Sequence, residues 1–387
     1  MKVDMGAVRQ RYDSWWEGTN RTPILYMIYP ERERDLTSLL REWMPASLVG
    51  TWSNWKQEFL FGLAFQRLRE TGDERYIDEA LDYLEGYART TAYAGDGYPF
   101  LMPGFGPGAL AGFVSGYSVF QEPTIWFETE TPWEWDRILA IDPSRKTEYG
   151  EIALRITRKL VRRLQEHYVI SMPDLGQGLD ILSSIRHPGN LLLDTIDCPE
   201  NVDAGCDLLY EVWEDYYDRL SSMIDPGNHG CYTVVMRWLS GKPTHMSYCD
   251  FSAMISPAMF ERFVWPVMER ESAKVDGRLI YHLDGPGEIP HVDVLLEMEG
   301  LYAIQWVPGA GNPGCLDEAW DELYRKILDG GKRICIGAGA EQTEALKRLI
   351  GTFPGEAFLI TGSAPDRASA EALVRVADRC AKPPQCR

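Results

Sequence analysis

Between Tyr281 and His291 the chain reads YHLDGPGEIPH, with His282 and Asp284 two residues apart and a Gly-Pro-Gly turn behind them. A neutral imidazole and a carboxylate can hold Zn2+ or another divalent metal. They can equally divide acid and base roles. Asp284, standing before Gly285 and Pro286, can also be no more than a turn residue. If the residues before the turn form a strand, alternate side chains face one way, and His282 and Asp284 point together. His-x-Asp alone is a weak motif, so its weight depends on where the fold puts it.

Other polar residues sit at the ends of comparable apolar runs. YVISMPD ends in Asp174, with Gln177 and Asp180 just beyond. THMSYCD carries His245, Tyr248, Cys249 and Asp250. RLIYHLD adds Tyr281 to the His282/Asp284 pair, and LYAIQW carries Gln305 and Trp306. Each has a structural alternative. His245 can be a hydrogen-bonded core histidine, and Asp250 a cap or turn residue ahead of Ser252. His291 and Asp293 read as the start of a helix, where an acid suits the dipole. Arg186, in SIRHPGNLLLD, could reach a ligand carboxylate or phosphate. Residues 96–127 are rich in Gly, Pro and aromatics, the composition of a pocket wall or a lid. Tyr98, Phe105 and Trp126 from this stretch, with Trp306 as a stacking surface beside the Gln305 amide, would line a site for a flat or apolar group. Aromatic packing is the alternative for each.

These residues need elements to carry them. TPILYMIYP reads as a strand, and KQEFLFGLAFQRLRE and DERYIDEALDYLEGYARTTAY as amphipathic helices. From residue 145 onward strand and helix alternate. The strands are YVISMPD, THMSYCD, RLIYHLD, LYAIQW, KRICIG and EAFLIT, and the helix SPAMFERFVWPVMERESAKV opens on Ser256 as cap with Pro257 at its first position. Strict alternation predicts a parallel sheet. Without a Gly-rich dinucleotide fingerprint, that predicts a closed (β/α)8 TIM barrel, whose chemistry sits at the C-terminal strand ends. The expected domain plan is one barrel over residues 1–387, residues 1–95 being a mostly helical N-terminal extension.

Composition sets outer bounds. Lys and Arg number 39 against 58 Asp and Glu, a net charge of −19. Such a field disfavours nucleic acid and anionic membranes as partners. No apolar leader or run long enough to span a bilayer is present. The eight cysteines form no CxxC pair, and the expectation is a reduced, cytoplasmic protein with a small-molecule substrate. A homo-oligomer is compatible with all of this.

DILSSIRHPGNLLLDTIDCPENV, DFSAMISPAMFERFVWPVMER, RLIYHLDGPG and LITGSAPDRASAEALVRVA together resemble the uroporphyrinogen decarboxylase superfamily. The likeness spans roughly residues 90–380, judged by element order. The group includes porphyrinogen decarboxylases and zinc methyltransferases that serve corrinoid and coenzyme M pathways. The resemblance implies a barrel enzyme on a small organic substrate. Methyl transfer, with a separate corrinoid protein as partner, is the first reading; decarboxylation or another lyase reaction is the second. A ligand-binding barrel without catalysis is the third. In the methyltransferase branch the strand ends in His-x-Cys, and a Gly-Cys near the last strand completes a zinc site. Here His282 matches, Asp284 stands at the first Cys, and Gly362-Ser363 at the Gly-Cys. The donor set shifts from soft thiolates toward oxygen. The decarboxylase branch's arginine-rich N-terminal segment has no match in EGTNRTPILYMIYPERERD, which keeps Arg21 alone ahead of the strand. On this reading His282 and Asp284 are metal ligands or acid/base groups, and Asp250 and Asp174 orient substrate or receive a proton.

Overall fold

The central strands are nearly continuous apolar runs, such as ILYMI in the first, and because successive side chains face opposite ways both faces of the sheet need cover. The computed structural model describes residues 3–31, 60–117, 119–121 and 124–379. In chain order the strands are β1 (Ile24–Pro30), β2 (Thr91–Gly95), β3 (Phe100–Leu101), β4 (Val119–Gln121), β5 (Thr124–Trp126), β6 (Val169–Ile170) and β7 (Tyr232–Thr233). They continue with β8 (Leu239–Ser240), β9 (His245–Tyr248), β10 (Leu279–Asp284), β11 (Leu301–Val307), β12 (Arg333–Gly339) and β13 (Phe358–Ser363). The central sheet has seven strands in the order β2-β1-β13-β12-β11-β10-β9. All its pairs are parallel except β1 with β2.

The protein is thus a mixed α/β structure around a mostly parallel sheet. Five of the six segments predicted as parallel strands lie in that sheet as expected. The sixth, YVISMPD, does not: β6 pairs in parallel with β3 in a separate two-stranded sheet. Among the described residues the hydrogen-bonded sheet stops at β2 and β9 and does not close. Residues 1–95 are mostly helical where described, yet they supply β1 and β2. The antiparallel β2 falls where a helix was predicted to run on through TTAY; that helix ends at Arg89.

One face of the sheet packs on helices through Leu25, Met27, Tyr281, Leu283, Ile304, Trp306, Ile334, Ile336, Phe358 and Ile360. The other encloses a second cluster, built from Ile24, Tyr26 and Ile28 of β1, Met246 and Tyr248 of β9, Ile280, Ala303, Cys335 and Leu359, with Tyr98 and Val169. The helix Met5–Trp16 adds Tyr12, Trp15 and Trp16 to this inner cluster. It docks at the strands' N-terminal ends, where Trp15 meets Tyr302 at 5.1 Å between ring centroids and Arg333 lies over the Trp15 ring. Trp16 Nε1 donates to Leu239 O at 2.8 Å.

Helix boundaries follow capping chemistry. Thr147 caps Glu148–Leu164, accepting from Gly150 N, with Glu148 and Glu151 in the first turn and Arg162 and Arg163 in the last. Ser256 caps the helix predicted after it, with Pro257 at N1. That helix was expected to run unbroken to residue 275. It divides instead into Pro257–Phe263 and Trp265–Lys274, because Pro266 has no N–H to give the preceding turn.

Candidate functional site

A bulge aligns the two strands that carry the central histidine. Leu279 pairs with Leu301 but Ile280 with Ala303, so β11 holds an extra residue at Tyr302. From there His282 and Gln305 are in register on the inner face. His282 Nδ1 lies 2.6 Å from Gln305 Oε1. An amide oxygen only accepts, so Nδ1 carries the proton and Nε2 presents a lone pair. Asp250, His282 and Asp284 each offer a ligand atom, and the three atoms lie within 4.8 Å of one another. The His-x-Asp pair does point one way, and the end of β9 adds a second carboxylate.

Gly285 makes the turn behind the pair with φ +84°, a conformation open to glycine. Its N–H donates to Val307 O at 2.8 Å. Pro286–His291 then forms a 3-10 turn. Asp284 does not cap this turn. Glu288 does so from within it, accepting from Asp284 N–H at 3.1 Å. Glu288 is 1% exposed. Burial first, then the charges of Asp250, Asp180 and Asp284, push its carboxyl up to about 10, so it carries a proton at neutral pH. Sequence reasoning did not single out Glu288. A glutamate four residues beyond a His-x-Asp strand end, in a Gly/Pro turn, was the available signal.

Asp180 anchors the other side. It stands in the first turn of Gly178–Arg186, where its carboxylate accepts from Asp250 N at 3.1 Å and Phe251 N at 2.9 Å. Burial and the neighbouring Asp250 hold its carboxyl well above the usual range. Partial loss of water around Asp250 raises that carboxyl too, as do Asp284 and Asp174, while His282 pulls it down. Asp174 accepts from Tyr248 Oη at 2.5 Å. Desolvation raises Asp174, and the Tyr248 hydrogen bond opposes this. Tyr248→Phe removes that donor and leaves a carboxylate short of a partner, so it costs about 1–3 kcal/mol of stability. Urea unfolding measures the loss, and an unchanged midpoint would show that water replaces the hydroxyl.

Several predicted site residues stand elsewhere. Trp306 is 0% exposed and packs against Trp320 on the helix side of the sheet. Strand alternation explains it: with Gln305 facing in, Trp306 must face out. Tyr281, beside His282, is likewise buried outward, against Phe260. Phe105 packs on Phe113 in the outer core. Tyr98 lies in the inner cluster, its hydroxyl 2.7 Å from Thr233 Oγ1. His245 begins β9, at the end of the strand away from the site, and stands 3.6 Å from the buried Glu271 and edge-on to Trp213. Arg186, at the far end of its helix, is committed to Asp194 at 2.7 Å and Glu134 at 3.0 Å. His291 is structural, as expected: it stacks on Phe260 and bonds Ser252 O at 2.8 Å. Ser363 ends β13, in register with Gly339 and Ile28 and three strands from β10.

Trp126 does reach the site. With Pro107, Gly108, Ile125 and Phe127 it walls a cleft of about 270 Å3 whose other side holds Asp180, Tyr248, Asp250, Phe251 and Met254. Of the aromatic-rich stretch 96–127, Pro107, Gly108 and Ile125–Phe127 line this cleft, while Tyr98 and Phe105 are core residues. His282, Asp284 and Gln305 are not in the cleft wall; they adjoin it through Asp250. These four strand-end residues do not share one cavity: Asp250 lines the cleft, and His282 and Asp284 form a ligand cluster with it at the cleft's side. The six described cysteines are free thiols, Cys249 and Cys335 among the buried ones; Cys380 and Cys386 lie outside the described residues. No helix among the described residues is long and apolar enough to cross a membrane.

No protein-family model matches the chain, and the search of curated proteins returns no match.

Proposed function

We propose that the chain is an enzyme that binds a divalent cation on Asp250, His282 and Asp284 and transfers a methyl group of a small organic substrate. The convergence of those three donors at the C-terminal ends of two adjacent parallel strands carries the reading. The donor set fits such an ion: one imidazole nitrogen is free because the other is held by Gln305, and two carboxylates supply charge. Three protein ligands leave positions open to substrate, and a cation so bound supplies Lewis-acid activation. Asp180 fixes the backbone that carries Asp250, Glu288 fixes that of Asp284, and Gln305 orients His282. The resemblance to the uroporphyrinogen decarboxylase superfamily supports methyl transfer as the reaction, with a separate corrinoid protein as methyl carrier. The barrel of that superfamily is supported by the inner cluster, which takes a residue from each of β1, β6 and β9 to β13 and packs Phe100 of β3 against them.

A second reading, a lyase working by proton transfer, is favoured by the neutral Glu288 beside Asp284 and by the Tyr248–Asp174 hydrogen bond. Titration of the purified chain with Zn2+ and Mn2+ by calorimetry separates the two. The methyl-transfer reading expects a single equivalent bound, lost in the Asp250→Asn/Asp284→Asn double variant. Absence of binding would leave the lyase reading.

A further inference from the structure

The cleft beside the cation cluster has a chemical preference of its own. Trp126 is 54% exposed and Met254 48% exposed, both in its wall. Phe127, Tyr248 and Phe251 extend the aromatic lining, Asp180 and Asp250 supply the charged part, and no Lys, Arg or His lines it among the described residues. We propose that this cleft binds a small methylated ammonium cation, its methyl groups against Trp126, Phe127 and Met254 and its charge facing Asp180 and Asp250. The inference rests on reading this end of the molecule as the active site, and it names the class of substrate.

The make-up of the wall supports this. Aromatic faces attract a diffuse cation through their quadrupole, most strongly a tryptophan's, and a charge covered by methyl groups loses little hydration on entering. Asp180 and Asp250 stand together in the wall with no basic side chain beside them there among the described residues, and a cation between them offsets their charge. An anion would meet Asp180 and Asp250 in the wall, with Asp174 and Asp284 beside Asp250 adding negative charge and His282 the nearby base. A divalent ion would offset two of these charges, and the remaining carboxylates still favour a monocation. A bare ammonium suits the cleft less: both Asp180 oxygens already accept from backbone amides, and the rim is apolar. The volume, about 270 Å3, fits a ligand at the small end of the usual range.

Calorimetry on the full chain tests this with tetramethylammonium and choline as probes, 3,3-dimethylbutan-1-ol as choline's neutral isostere, and acetate as the anion. Choline is expected to bind at least about tenfold more tightly than the alcohol, and acetate not at all. Trp126→Ala, at an exposed position where folding is not at risk, is expected to weaken choline by about 3- to 30-fold, with Trp126→Phe between. The alcohol binding as tightly as choline, an unaffected Trp126→Ala, or no heat with either cation up to about 10 mM would each overturn the inference. Metal content read on the same samples keeps the two proposals apart. Metal without ammonium binding overturns this inference alone, and ammonium binding without metal overturns the cation-cluster reading alone.

Discussion

His282→Ala is expected to abolish divalent-cation binding and to lower turnover by about a hundredfold or more. The substitution removes the imidazole from a three-donor cluster and leaves two carboxylates, Asp250 and Asp284, facing each other across the gap. The partner of that imidazole offers a finer test. Gln305→Leu keeps His282 but removes the oxygen that takes its Nδ1 proton at 2.6 Å. The ring is then free to rotate or change tautomer, and cation affinity should fall about 10- to 100-fold, the usual effect of losing a support behind a ligating histidine. Gln305→Glu restores an acceptor and should recover most of the loss. A merely structural Gln305 would not give that rescue. Equal cation affinity in wild type and His282→Ala, measured by calorimetry, would remove the histidine from the site.

The second large effect concerns Glu288. Its folded carboxyl sits at about 10 against an ordinary 4.5, because burial and three acidic neighbours disfavour its charge. The folded state therefore holds a proton that the unfolded state releases between those values. Stability contributed by this group is fully present below about pH 4.5 and is lost as pH rises toward 10, at up to about 1.4 kcal/mol per pH unit. Glu288→Gln is nearly isosteric, cannot ionise, and still offers an oxygen to Asp284 N–H. It should match the wild type near pH 5 and become the more stable protein as pH rises, by several kcal/mol near pH 9. Glu288→Ala lacks both the acceptor and the volume, and should lose about 2–4 kcal/mol even at low pH. Urea unfolding of the metal-free proteins across this pH range measures all three. Parallel curves for wild type and Glu288→Gln would mean that Glu288 is already ionised in the folded protein.

The strands were legible in the sequence as short apolar runs closed by polar or turn residues. RLIYHLD and LYAIQW gave β10 and β11, and the shared direction of His282 and Asp284 followed from period two. The same period, applied one residue further, would have turned Tyr281 and Trp306 outward; strand-end position outweighed pleat in that assignment. Asp250 was legible as a strand-end acid, but its approach to the pair depends on β9 lying beside β10, a tertiary fact. Glu288 and Asp180 were not assigned because their roles are hydrogen bonds to the backbone of other site residues, and one sequence does not show which amides will be near. β2 was missed because TAYAG is short and becomes a strand through its antiparallel pairing with β1. YVISMPD was placed in the central sheet because an apolar run does not state its partner, and β6 finds β3 instead.

The pairing of β1 with β13 has a consequence for how the chain is made. Ile24 lies beside Leu359, so the sheet joins residues 335 positions apart (359 − 24). The helix Met5–Trp16 likewise finds its aromatic neighbour Tyr302 far down the chain. At ribosomal speeds of about 5–20 residues per second, the first strand waits on the order of 20–60 s for its neighbour. Throughout that interval ILYMI has one available edge partner, β2, and its inward residues have no completed interior to enter. Slow, late-committing assembly follows from such distant contacts. Newly made chains should therefore lean on holdase chaperones during synthesis, and a fusion that delays release of the C-terminal strand should lower soluble yield even though it touches no residue of the site.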